Sequence, residues 1–442
     1  MKDRFYVISG GTMVHVAPHF SLCSPAYGTV GNSLVRGLSL YAGGQDSVHL
    51  IPTRMVNTPF QVDGHVDHLL DILDLKFIET NEDVSRLVDL LVSREETRCI
   101  VMACALCDFE PRKISWIEEG PYNFKSLRSF GKDQPRLSSK YRPQMDLIPT
   151  DKLIGKIRKN RKDIFLVGFK TTAGESPKSL YDKGLKLLKD NSCNLVLGND
   201  IQTHLNMIIT PEEFPYTFVG GKGRDEAIDQ LCEMVIQRTK LSFSKTEVTG
   251  TPDQKILPAT AEGIPENFVP VLRFLIENNA FKLVNGRTTG HFGCVYPEGS
   301  LSSVRYANHN KVFEEGMVRV TGTKDGVIQA IGSKPSAGEH TQQEIYRQLG
   351  DRVHSVVHFH CPLSKGIILP MASQKPFECG SHQCATNTVN AMEELSPGVY
   401  VCHLEGHGPN IAFHKDVPAY TLIFMIRKFW DLSKGLSDHL ED

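Results

Sequence analysis

Tyr6-Val7-Ile8-Ser9-Gly10-Gly11-Thr12 is a short apolar run that ends in glycines. A run of this kind, closed by a turn signal, reads as a buried strand. Residues 33–41 then have helical spacing and residues 47–51 read as the next strand. Residues 81–93 are helical again, with Asn81 as the expected cap, and residues 99–105 form a buried-type strand. Residues 163–169, 176–190 and 194–197 repeat strand, helix, strand. Such alternation predicts a Rossmann-like α/β domain, a mostly parallel sheet covered by helices.

Residues 241–262 are polar, carry Pro and Gly and lack periodicity, so a linker is expected there between domains 1–240 and 263–442. The second half has helical stretches at 265–278, 341–349 and 419–432. Its short strands, at 293–296, 318–321, 327–330 and 353–358, predict a layered α/β domain with a largely antiparallel sheet. The length of 442 residues fits two domains, because single cores stop growing near ~250–300 residues.

Forty per cent of residues are hydrophobic and 23% are charged, the balance of a globular protein. A net charge of −2 argues against nucleic acid or an anionic membrane as partners. No apolar stretch of ~18 residues occurs, and no signal-peptide pattern precedes Tyr6. The 11 scattered cysteines read as reduced thiols, and a cytoplasmic protein is expected. Cys104-x-x-Cys107 has redox spacing but ends a buried-type strand, so packing is the better reading.

Glycines at the end of a first strand let the backbone approach a phosphate, and a helix N-terminus favours the anion. Gly10-Gly11-Thr12 and Gly28-Thr29-Val30-Gly31 are both placed for this, although plain tight turns would look the same. Further motifs follow in order: 101–109 ending in Asp108-Phe109, Ile148-Pro149-Thr150-Asp151-Lys152, Val167-Gly168-Phe169-Lys170, Leu197-Gly198-Asn199-Asp200 and Gly221-Lys222-Gly223. Over residues ~5–240 this set resembles the synthetase domain of phosphopantothenate–cysteine ligases. The resemblance implies a dimer that uses CTP or ATP with Mg²⁺ to activate a carboxylate as an acyl-nucleotide, which an amine then attacks. It places Gly10, Gly11, Thr12, Gly28, Gly31, Asp108, Phe169, Lys170, Asn199 and Lys222 at the nucleotide. Ser24 stands where the family has Asn, and Arg136 or Lys140 stands in for its lysine-rich catalytic loop. Those departures leave the acid substrate open.

In the second half, His358-Phe359-His360 follows an apolar run. Alternate strand residues point the same way, so both imidazoles can face one metal. His407, between glycines, is the best third ligand, and three histidines leave an open position on Zn²⁺ or a similar ion. Two exposed strand histidines would look identical. The order of 334–339, His358-Phe359-His360 and Gly406-His407-Gly408 resembles class II aldolases and the adducin head over residues ~265–435. That resemblance implies an α/β/α domain, often tetrameric, with Zn²⁺ or Mn²⁺ on His358, His360 and His407. It also implies Glu339 as acid/base, and a substrate phosphate at Thr289, Gly290, Thr321, Gly322 and Ser336. Gly290-His291-Phe292-Gly293 and Pro335-Ser336-Ala337-Gly338-Glu339 depart from the family turns, the latter read as one residue longer. Cleavage, decarboxylation, dehydration and epimerisation share this chemistry. His382, His403 and His414 read as ordinary histidines, and Glu405 as a possible neighbour of the metal. The whole reads as a bifunctional, homo-oligomeric metabolic enzyme acting on small molecules. The alternative is a single aldolase-like activity with a regulatory nucleotide-binding domain.

Overall fold

A computed structural model describes residues 3–43, 47–57, 63–117, 124–284 and 286–441. The chain forms two compact units. The first comprises Met1–Glu175, Leu180–Ile209 and Thr217–Thr239; the second comprises Ser176–Ser179, Thr210–Tyr216 and Lys240–Asp442.

The sheet of the first unit runs Ser47–Pro52, Arg4–Gly11, Thr97–Ala105, Phe165–Thr172, Leu195–Asp200, Asn206–Ile209. Its first five strands are parallel, and Asn206–Ile209 is antiparallel. Tyr6, Val7 and Ile8 are fully buried in its centre. From Arg4–Gly11 the chain builds outward to Ser47–Pro52, then crosses to the other side at Thr97–Ala105. The strand order therefore reverses between Arg4–Gly11 and Thr97–Ala105, and ligands of such sheets bind at the carboxyl ends of strands at that switch point.

The helix Asn81–Ser93 begins differently from expectation. Thr80 is its cap: the Thr80 hydroxyl accepts the Asp83 N–H at 3.1 Å, and the Asp83 carboxylate accepts the Thr80 N–H at 2.8 Å. This reciprocal box satisfies two otherwise orphaned donors. It frees Asn81, whose side chain accepts from the Thr12 hydroxyl at 2.6 Å and donates to the Cys107 carbonyl at 2.8 Å.

The second unit contains a ten-stranded sheet centred on His291–Tyr296, Ser355–His358, Gly408–Phe413 and Val399–Glu405, all antiparallel to their neighbours in that run. Period-two alternation sorts its side chains. Val357, Ile411 and Phe413 face one core with the helices Phe268–Glu277 and Ala419–Phe429. Val356, Ala412 and Tyr400 face a second, smaller core with Ile345 of Glu339–Leu349 and Val389 of His382–Asn390. The stretch 241–262, expected as a linker, contains the strand Lys245–Thr249, paired parallel with Val327–Ile331, and a 3₁₀ turn at Pro252–Gln254. That strand sits at the sheet edge and is largely exposed, so no hydrophobic alternation marked it in the sequence. No helix among the described residues is long and apolar enough to cross a membrane.

Candidate metal centre and nucleotide-binding face

His358 ends its strand opposite His291, and the turn that carries His407 lies where the adjacent hairpin Val399–Glu405 and Gly408–Phe413 closes. Gly408 has φ +107°, and a Cβ there would lie 2.2 Å from the Phe359 carbonyl oxygen. Only glycine lets the His407 turn approach the His358–His360 segment so closely. His358, His360 and His407 are 0%, 7% and 2% exposed, and their ligating atoms lie within 4.8 Å of one another.

The Nδ1 of His358 donates to the Pro409 carbonyl at 2.7 Å, which leaves its Nε2 lone pair free 3.3 Å from Nε2 of His407. Two nitrogens on one tetrahedral Zn²⁺ with bonds of ~2.0–2.1 Å would be about 3.3 Å apart. Burial, followed by the neighbouring His407, His291 and His360 rings, holds the His358 imidazolium well below its ordinary pKa despite the Pro409 carbonyl. Three buried imidazoles gathered on one point are a donor set for a divalent cation of borderline softness. The three residues fit a metal.

Residues that the sequence reading passed over surround them. The His291 ring stacks on His358 at 4.7 Å, and Gln342 donates to His291 Nδ1 at 2.8 Å. His309 donates from Nε2 to the Gly290 carbonyl at 3.0 Å. Gly290, at φ +84°, abuts the His358 carbonyl oxygen, where a Cβ would sit at 2.4 Å. Thr289, buried, is beside it. Ser336 donates its N–H to the Ser303 carbonyl, and Ser303 donates its own to the Phe292 carbonyl, so Ser302-Ser303 and Ser336 lie at this end of the sheet. Thr321 and Gly322 do not. They lie beside Gly299, whose added Cβ would meet Val320 and Thr321. Gly299 pairs with Tyr296, five residues along the strand from His291, about 16 Å away at ~3.3 Å per residue.

Glu339 is fully buried, and neighbouring side chains hold its carboxylate. It accepts from Gln343 Nε2 at 2.6 Å and from Ser300 Oγ at 3.5 Å. Ser300 pairs with Val295, and Ser302, which also hydrogen-bonds the Glu339 carboxyl, pairs with Gly293, so these two partners lie two to four residues along the strand from His291, about 7–13 Å. Gly338 is the residue that abuts the triad's neighbour, since a Cβ there would lie 2.0 Å from the His291 ring. One step along a helix rotates a side chain by about 100°, enough to send the next residue to a different part of the sheet. Burial lifts the Glu339 carboxyl to about 7 against hydrogen bonds from Ser302, Gln343 and Ser300.

His382 is hydrogen-bonded to Ser244 and stacked on His340, His403 accepts from Trp430, and His414 packs on His354. Glu405 is exposed at its strand end.

In the first unit, the carboxyl ends of the parallel strands bring most of the expected residues to one edge. Gly10 and Gly11 end the first strand, Asp108 follows Thr97–Ala105, Phe169 and Lys170 lie near the end of Phe165–Thr172, and Asn199 lies near the end of Leu195–Asp200. Gly11 is crossed by the Ser24–Ala26 loop so tightly that a Cβ would lie 2.0 Å from the Ser24 carbonyl oxygen. Ser24 itself donates to the Leu106 carbonyl at 3.0 Å. Thr12 is inside, accepting the Cys107 N–H at 2.9 Å while donating to Asn81. Gly28 caps the helix Thr29–Tyr41 at φ +84°, and Gly31 packs on Ser9. Asp108 pairs with Lys152, Asn199 accepts from Thr171 at 3.0 Å, and Lys222 is exposed at the start of Gly223–Arg238.

Asp200, not singled out from sequence, pins the loops beyond the last two parallel strands. Its carboxylate accepts the N–H groups of Gly174, Glu175, Gln202 and Thr203 and the hydroxyls of Thr172 and Thr203. Burial raises its pKa, but these hydrogen bonds outweigh burial and hold it well below the usual carboxylate range. Arg136 and Lys140 are exposed on the loop before Gln144–Pro149. All 11 cysteines are free thiols, and burial pushes Cys104 up to about 12, which suits packing rather than redox exchange.

No protein-family model matches the chain, and no curated protein matches it. Solved structures resemble its two parts separately. The DNA/pantothenate metabolism flavoprotein of Streptococcus pneumoniae is 18% identical over 53% of this chain and 98% of its own, with a TM-score of 0.42. The C-terminal domain of the coenzyme A biosynthesis bifunctional protein CoaBC is 12% identical over 53% of this chain and 94% of its own, with a TM-score of 0.36. The L-fuculose-1-phosphate aldolase of Thermus thermophilus is 16% identical over 36% of this chain and 92% of its own, with a TM-score of 0.26.

Proposed function

We propose that the chain is a homo-oligomeric bifunctional metabolic enzyme whose two activities reside in residues 1–240 and 263–442. The second activity is a metal-dependent lyase or related reaction on a small hydroxy-carbonyl compound. The observation that carries this reading is the buried set His358, His360 and His407, with ring nitrogens as close as 3.3 Å. A divalent metal bound there would supply Lewis-acid polarisation of a carbonyl oxygen. The chain's own residues do the rest. His358 is oriented by Pro409, burial holds its imidazolium well below the ordinary pKa, and Thr289, Ser303 and Ser336 offer hydroxyls for an oxygen-rich substrate. Glu339, hydrogen-bonded by Gln343, Ser300 and Ser302, keeps its proton up to near neutrality and is the candidate acid/base. Metal analysis of the purified chain and of His358→Ala tests the reading: about one equivalent of Zn²⁺ or Mn²⁺ in the first and none in the second is expected. A metal-free wild-type chain sinks it.

For the first half we infer a nucleotide-dependent carboxylate ligase, cytosolic and using CTP or ATP with Mg²⁺. What supports it is that Gly10, Gly11 and Asp108 flank the switch point of a parallel sheet, with Lys170 and Asn199 on the next two strands of the same carboxyl edge. Backbone N–H groups and cations there suit a triphosphate, and activating a carboxylate requires that its oxygen leave with the nucleotide. Pyrophosphate release from CTP or ATP with a panel of acids and amines is the test. Nucleotide binding without release would leave a regulatory domain instead.

A further inference from the structure

We propose that Glu213 is the carboxylate that orients the metal-ligand histidine His360, and that it reaches the triad from chain well upstream of the three histidines. The assignment rests on the metal-centre reading above. Glu213 belongs to Thr210–Tyr216, a segment of the second compact unit. Its Oε2 lies 3.6 Å from His360 Nδ1, with the two side chains 10% and 9% exposed. His360 Nδ1 is buried and has no hydrogen bond among the described residues, so the glutamate is the group beside it.

The local backbone is built to present this side chain. Glu213 holds a left-handed conformation, φ +67°, which costs a non-glycine residue energy. Its N–H donates to the Thr210 carbonyl at 3.0 Å, and the Thr210 N–H and hydroxyl both reach the Phe214 carbonyl at 3.3 Å, closing a tight turn. The flanking residues hold that turn in place within the second unit. The Glu212 carboxylate accepts the Cys379 N–H at 2.8 Å. The Phe214 ring packs on Gly406, the neighbour of His407, so closely that a Cβ would lie 2.9 Å from two ring carbons. A strained, buried glutamate whose neighbours are held at Cys379 on one side and at Gly406, next to His407, on the other is a feature that packing alone does not require.

The chemistry is that of an imidazole with two unlike nitrogens. A carboxylate at Nδ1 fixes the proton there and leaves the Nε2 lone pair for a cation, as the Pro409 carbonyl does for His358. Glu213 is not one of the three residues that share the ligand point, so it would act on a bound metal through His360. A closure of a few tenths of an ångström brings the pair into hydrogen-bond range. It follows that a fragment starting at residue 263 would lack part of its metal site.

The test uses the full-length chain. Zn²⁺ affinity is measured by competition with a chromophoric chelator, and the visible spectrum is recorded after Co²⁺ loading, for wild type, Glu213→Gln and His358→Ala. Glu213→Gln should bind Zn²⁺ roughly 10–100-fold more weakly and shift the Co²⁺ bands, with the melting temperature of the metal-free protein unchanged. If Glu213→Gln misfolds, Glu213→Asn serves under the same criteria, because asparagine tolerates the left-handed backbone. An affinity within twofold of wild type and a superimposable Co²⁺ spectrum, alongside lost binding in His358→Ala, overturns the role of Glu213 alone. A wild-type chain that takes up neither ion overturns the metal centre and this assignment together.

Discussion

Glu339→Gln should stabilise the second unit at alkaline pH and leave it nearly unchanged in mild acid. The Glu339 carboxyl titrates near 4.5 in the unfolded chain and near 7 in the folded one, because burial penalises its charged form. Between those values the folded state holds a proton that the unfolded state has released. Stability from that proton is complete below about pH 4.5 and is lost as pH rises to about 7. Each pH unit of that span is worth ~1.36 kcal/mol, so the full loss is on the order of 3 kcal/mol. Glutamine keeps the oxygen that accepts from Gln343 and Ser300 and ionises in neither state. The chain has two tryptophans, so a Trp116→Phe background leaves Trp430, 2% exposed in the second unit, as the reporter. Urea unfolding followed by its fluorescence at pH 5 and pH 8, with and without Glu339→Gln, isolates the term, since every other titrating group is common to both proteins. The variant should gain most of those 3 kcal/mol on going from pH 5 to pH 8. An equal difference at both pH values, or a variant weaker than its parent at pH 8, would refute the account of a buried, protonated carboxyl.

Chelation should lower the melting temperature of the wild type but not of His358→Ala; at free metal 100-fold above Kd the bound ion contributes about 2.7 kcal/mol. Thr12→Val removes the hydroxyl joining Asn81 to the Cys107 N–H and should cost ~1–3 kcal/mol in chemical unfolding, through unpaired buried groups. Gly290→Ala, with φ +84° and a carbonyl oxygen 2.4 Å from the new Cβ, should cost upward of ~1 kcal/mol and weaken Zn²⁺ binding by pushing on the His358 backbone. Unchanged melting and affinity there would mean the turn yields freely. Lys222→Ala, on an exposed helix start, should leave melting unchanged yet weaken nucleotide binding in a thermal-shift titration.

Local pattern carried much of this. The apolar run ending in Gly10-Gly11 is a central strand; His358 ends its own strand, and His360 lies just beyond it with its ring 5.0 Å from that of His358. Where readings and structure part, the cause is geometry over distance. Asn81 and Thr80 are both good cap residues, and the reciprocal bond to Asp83 decided for Thr80. Thr321-Gly322 looked like a phosphate loop, but the strand carrying it places it at the far end of the sheet from His291, whereas Ser302-Ser303, with no motif to mark them, are at the near end. Glu339 and Gly338 are adjacent in sequence, yet the helical rotation between them sends one to Ser300 and the other to His291.

The sequence by itself therefore determined the α/β alternation, the glycines at the first strand's end and the candidate histidines, because each depends on neighbours a few residues away. Only the tertiary structure decided what converges. The hairpin brings His407 to His358, the strand order makes a switch point beside Gly10, and the turn at Thr210–Tyr216 carries Glu213 to His360. Those contacts join residues from about 50 to nearly 150 positions apart. Strand register and close backbone approach fix them, and neither leaves a periodic trace in the chain.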